Sequence, residues 1–171
     1  PFSDAGFPIN KDSLIGNITP SNSEIPWDTI DGFALTIDEL NDYDGELSIF
    51  ADKIEPADIR QGMLGDCYFL SVLAALTEHP HRIENLFDLE KTNAEGIWSV
   101  KMFKNGIAQE VVMDNFVPCL HGRPVFSKAN GNELWVIILE KAWAKLHGSY
   151  ERIEAGLCTD VMRDLTGAPS F

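Results

Sequence analysis

The apolar positions of this chain change period along its length, and three stretches stand out. From Phe69 onward, Phe69, Leu70, Leu73 and Leu76 recur at helical spacing, which predicts a helix with one buried face up to about Thr77. Pro80 stops it soon after. From Ile97 to Met113 the pattern is β: Trp98, Val100 and Met102 alternate with Ser99 and Lys101, Asn105-Gly106 supplies a hairpin turn, and Val111 to Met113 lie on the returning strand. From Trp135 a helical period returns through Ile138, Leu139, Ala142, Trp143 and Leu146, and Gly148 closes it. Asn132 is read as the cap of this helix and Glu133 as a first-turn acid.

Shorter signals fill the intervals. Pro56-Ala-Asp58 reads as a turn, Ile83 to Phe87 as a short helix, and Leu120 to Phe126 as a turn with a short strand around Gly122-Arg-Pro124. Pro1 to about Asp31 lacks periodicity and reads as an extended lead-in tied down by Phe2, Phe7 and Trp27. No internal repeat and no apolar run long enough for a membrane helix occurs.

Composition narrows the class. With 171 residues, 44% hydrophobic and 23% charged, the chain fits one globular domain with a real core. A net charge of −14 argues against nucleic acid, where phosphate contacts need Lys and Arg. The same charge is compatible with a hard cation. The acidic run Asp38, Glu39, Asp42, Asp44 and Glu46 reads as a solvated loop. It is no EF-hand, because the first and last ligand positions would fall on Leu40 and Ala51. Cys67, Cys119 and Cys158 are odd in number and form no Cys-x-x-Cys pair, which fits reduced thiols in an intracellular protein. The N-terminus carries no signal-peptide pattern, and starting on Pro1 suggests a fragment or a processed chain.

The candidate chemistry gathers just before the first helix. In Gln61-Gly-Met-Leu-Gly-Asp-Cys67-Tyr68, Gly62 and Gly65 are read as giving the loop backbone freedom, and Asp66 as the N-cap. Cys67 then falls in the first turn, where unpaired N–H groups and the macrodipole favour a thiolate. That dipole contributes about 0.3–1 kcal/mol, too little to replace a paired base.

This stretch, running into Leu73-Ala-Ala-Leu-Thr77, resembles the active-site segment of the calpains, calcium-dependent cysteine proteases. So do Phe2-Ser-Asp4, Val111 to Pro118, Gly131 to Trp135, Leu139-Glu-Lys-Ala142, His147 to Tyr150 and Asp164 to Gly167. Calpains usually carry Trp after the cysteine, where this chain has Tyr68. The resemblance implies an α+β fold, mostly helical: the N-terminal, Cys-bearing half of a papain-like core, with a β-hairpin. Residues 1–47 would be the lead-in and 48–171 that half core. It implies Cys67 as nucleophile and Gln61 as the side-chain oxyanion donor. It implies a backbone contact to substrate at Gly156, and Gly65 is placed with it in the substrate cleft. Calcium would be held by the side chains of Asp58 and Glu133 with the carbonyls of Ala51 and Lys53, although the latter two positions depart from the usual Val and Gly. The partners implied are protein substrates and a second half of the core supplying a catalytic His and Asn, without which this half would be silent. The rival reading is a non-enzymatic calcium-sensing or interaction module of the same shape.

None of the four histidines reads as the base. His79 and His81 lie at the far end of the helix that starts at Cys67, about 18 Å along its axis. His147 suits a helix C-terminus, and His121 sits in a Gly/Pro turn.

Overall fold

The computed structural model describes residues 2–20, 24–30, 48–51, 53–90, 96–128 and 130–169. The acidic run Asp38 to Glu46 lies outside the described residues.

Among the described residues the helices are α1 (Lys11–Leu14), α2 (Cys67–Leu76), α3 (His81–Glu84), α4 (Trp135–His147) and α5 (Cys158–Thr166). The strands are β1 (Ile97–Lys104), β2 (Ile107–Asp114), β3 (Cys119–Leu120) and β4 (Arg123–Pro124), and single 3-10 turns cover Pro56–Asp58 and Glu151–Ile153. The class is therefore α+β, as expected. No described helix is long and apolar enough to cross a membrane.

The hairpin forms where the alternation predicted it. β1 pairs with β2 antiparallel, with Trp98 opposite Met113 and Val100 opposite Val111. Asn105 and Gly106 both take positive φ, the conformation a two-residue hairpin turn demands. The smaller β3–β4 ribbon repeats the device at His121-Gly122, again both at positive φ.

α4 is the central element. Every residue from Trp135 to Ala144 is buried, including Glu140 and Lys141. An apolar run of Val136 to Leu139 with aromatics on either side leaves no solvent face, so the helix is packed all round. Phe69 of α2 stacks on Trp143 with centroids 5.4 Å apart. Phe126 packs on Tyr150, and the lead-in joins them through Phe7 on Tyr150 and Trp27 on Phe126. Lys145 bonds Asp4 of the lead-in and the Val112 carbonyl of β2.

Two local expectations need correction. α4 starts at Trp135, not at an Asn132 cap. The segment 132–134 is instead drawn out beside residues 48–49, with Ser48 N bonding the Asn132 carbonyl and Leu134 N the Ser48 carbonyl. Glu133 is thus outside the helix. Asp66 does stand at the N-cap of α2, but its side chain makes no cap bond.

Candidate active site

Cys67 is the first residue of α2, a ten-residue helix, and it is exposed. The helix buries Phe69, Leu70, Val72, Leu73 and Leu76, so the core face lies away from the thiol. The loop before it, from Gln61 to Gly65, is laid against two other parts of the chain, Val125–Phe126 and Glu154.

Close packing, rather than unusual backbone torsion, explains the glycines of this region. Neither Gly62 nor Gly65 has positive φ. A Cβ on Gly62 would lie 1.8 Å from the Phe126 carbonyl oxygen, so no side chain fits. Next to it, Met63 N donates to the Val125 carbonyl at 3.0 Å. At Gly65 the neighbour is the Glu154 carbonyl, 3.0 Å from a built Cβ. At Gly156 it is the Tyr68 ring, at 2.5 Å. The structure thus brings Gly65, Gly156 and Tyr68 around the start of α2.

The Gln61 amide donates from Nε2 to the Leu64 carbonyl at 2.8 Å. A primary amide nitrogen carries two N–H groups, so this bond orients the side chain and leaves its second hydrogen for another acceptor. Tyr68, the departure from the usual Trp, is used at both lone pair and proton. Its hydroxyl donates to the Ile153 carbonyl at 3.0 Å and accepts from Trp143 Nε1 at 3.1 Å. A Trp at this position could only donate. Burial pushes the Tyr68 phenol up from its ordinary value.

Beneath Cys67 lies a group that sequence reasoning missed. Asp66 is completely buried, and neither of its carboxylate oxygens has a donor from the rest of the described chain. The group that meets it is the Glu140 carboxyl of α4, also buried. Burial, with the Glu154 charge nearby, pushes Asp66 up to about 6, while the bond with Glu140 holds it partly down. Burial and the Asp66 charge push Glu140 well above the usual carboxylate range. Two facing carboxyls can bond only if one keeps a proton. Glu140 also accepts Ser127 N on both oxygens at 3.1 Å, pinning the segment on which Gly62 rests. The available signal was a charged pair set inside an apolar run, but the partner of Glu140 is far away in sequence.

The histidines stay away from the thiol's role. His79 and His81 follow the C-terminal end of α2, and His121 sits in the β3–β4 turn. His147 is engaged by the Trp143 carbonyl and Lys104 Nζ, and burial lowers its basicity.

Of the four residues expected around calcium, two are brought together directly: Glu133 Oε1 accepts Ala51 N at 2.8 Å. Asp58 is buried, and its Oδ2 accepts Glu55 N at 2.8 Å in a capping box. Lys53 lies between these two segments in the chain. Among the described residues no three His, Cys, Asp or Glu side chains cluster to hold a metal. A site here would therefore need backbone oxygens beside two carboxylates, a donor set that suits a hard cation.

Comparison with known proteins shows the family. A family model described as calpain family cysteine protease matches residues 2–171. The chain is 41% identical over 172 residues to the calpain-type cysteine protease DEK1 of Arabidopsis thaliana, covering 97% of this chain and 8% of that protein. It is 39% identical over 170 residues to the calpain-type cysteine protease ADL1 of Oryza sativa subsp. japonica, again over 97% and 8%. To calpain-10 of Rattus norvegicus it is 33% identical over 173 residues, covering 98% of this chain and 25% of the relative. The chain therefore spans a small part of the relatives it matches.

Proposed function

The chain belongs to the calpain family of cysteine proteases, and from that membership we propose that it forms the nucleophile-bearing wall of a calcium-dependent, papain-like endopeptidase. The observation that carries the proposal is an exposed Cys67 at the first turn of α2, reached by a loop that begins with an oriented Gln61 amide. Cys67 Sγ attacks the scissile carbonyl carbon, and the oxyanion is held by Cys67 N–H and the second Gln61 N–H. Collapse forms a thioester and expels the amine, which must receive a proton. None of the four histidines reads as its source, so on this reading the base and its orienting Asn belong to a second half of the core. On this reading the 171-residue chain alone turns over no substrate. Gly65 and Gly156, with Tyr68 behind them, line the adjoining cleft for an extended protein substrate.

Calcium is assigned to the carboxylates of Asp58 and Glu133 with the carbonyls of Ala51 and Lys53. The bond from Ala51 N to Glu133 supports it, because it holds one carboxylate against the carbonyl-bearing segment. The three free thiols fit an intracellular setting.

The test is hydrolysis of a fluorogenic peptide in millimolar calcium. The full-length protein is expected to turn over, to lose turnover with Cys67→Ser, and to lose most of it with Glu133→Ala or on chelation. Turnover that survives Cys67→Ser would remove the proposal.

A further inference from the structure

The acid pair beneath the nucleophile has no part in the chemistry above, yet it touches both components of the wall. Asp66 directly precedes Cys67 at the start of α2. Glu140 meets Asp66 on one side and holds Ser127 N on the other. Ser127 follows Val125 and Phe126, whose carbonyls seat Met63 N and crowd Gly62. One buried carboxyl therefore bridges the residue that begins the Cys67 helix and the strip of backbone that supports the Gln61 loop.

Among the described residues, no cation is among the groups that act most strongly on the pair. Titratable groups that face the pair include Glu154 beside Asp66, Tyr150 beside Glu140, and Tyr68 on the first turn of α2. Lys141, the next residue along from Glu140, is bonded instead to Asp114 and Phe116. With one proton the two carboxyls are bound together. With none they are two buried like charges, and they repel.

We propose that Glu140 is a positioning residue for the nucleophile: with Asp66 it forms a carboxylic acid–carboxylate pair whose single proton ties α4 to the start of α2. Its bonds to Ser127 N fix the surface under the Gln61 loop. The inference rests on the reading of Cys67 as nucleophile. It adds that the wall is held in register by a proton, and that the register is lost when the proton leaves on the alkaline side. Amide and acid differ usefully here. A Gln at 140 keeps an oxygen to accept Ser127 N–H and an N–H to donate to an ionised Asp66, so the tie persists without a dissociable proton.

The experiment compares Glu140→Ala and Glu140→Gln in the full-length protein. It measures kcat and KM across pH, together with the rate at which iodoacetamide labels Cys67, located by peptide mass. Glu140→Ala is expected to lower kcat by about 10- to 100-fold with KM little changed, the scale of a small misplacement of reacting groups. It should also slow labelling of Cys67. Glu140→Gln is expected to recover most of kcat and to hold it further into the alkaline range than the native protein does. The proposal is overturned if Glu140→Ala leaves kcat and labelling unchanged while lowering only thermal stability. It is equally overturned if Glu140→Gln keeps the native alkaline fall. Should Glu140→Ala fail to fold, the pH profile of Glu140→Gln decides. If Cys67→Ser retains turnover, the nucleophile reading fails by itself, and the labelling rates still report whether Glu140 positions the thiol.

Discussion

Glu140 and Lys141 are neighbours on α4, both buried, and they face opposite fates. Lys141 meets an opposite charge. Its ammonium bonds Asp114 Oδ1 at 2.5 Å and the carbonyls of Asp114 and Phe116, while the other Asp114 oxygen accepts Asp4 N at 2.9 Å. Each of the ammonium's three protons has an acceptor, and the pair joins the end of β2, the lead-in and α4. Glu140 meets a like charge in Asp66. The first arrangement is what a buried ion requires for stability. The second is a local disagreement with that requirement, and it lies next to Cys67. Perturbed acids of this kind concentrate at functional sites, because a site needs groups whose protonation can be set by their surroundings.

The largest effect should come from breaking the satisfied side. Lys141→Met leaves Asp114 charged and unpaired in the core, and is expected to cost about 3–5 kcal/mol in urea unfolding. Adding Asp114→Asn should recover part of that loss, and a single-variant cost near zero would show that Lys141 is not holding the hairpin. The unsatisfied side is probed by pH. Asp66 is raised in the folded state from 3.8 to about 6, so the unfolded chain releases its proton first as pH rises. Stability from this group is therefore fully present below about pH 4 and declines as pH approaches 6, by up to about 3 kcal/mol. Thermal unfolding across that window should show the decline, and Asp66→Asn should remove it; an unchanged slope would mean that another group titrates there. The smallest effect belongs to a pair outside both clusters. Lys11 and Asp28 bond at 2.5 Å with side chains 61% and 86% exposed, so Lys11→Ala should leave the melting temperature unchanged within error.

The same contrast marks what the sequence could tell. Local devices were legible because their cause is local. Asn105-Gly106 turns a hairpin, Gly148 closes α4 at φ 104°, and Cys67 opens α2. The start of α4 was not legible, because Asn132 to Leu134 are drawn into pairing with Ser48 and Ile49, a contact that overrides capping preference. α5 gave no strong apolar run to announce it. Within the site, Cys67 and Gln61 were singled out through the family resemblance, whereas Glu140 could not be matched to Asp66. Their meeting depends on how α2 crosses α4, which no local pattern encodes. Gly62 and Gly65 were expected for torsional freedom, but the reason for them is a neighbour's backbone that only the fold brings close.

Those glycines carry a mechanical consequence. At 62 and 156 the chain runs against Phe126 and Tyr68 with space for a hydrogen atom and almost none beyond it, and at 65 it lies nearly as close to Glu154. Strips of chain fitted with so little clearance have no play between them. They shift as one block or stay still. A side chain added at 62 or 156 would therefore push two strips of the wall apart at once.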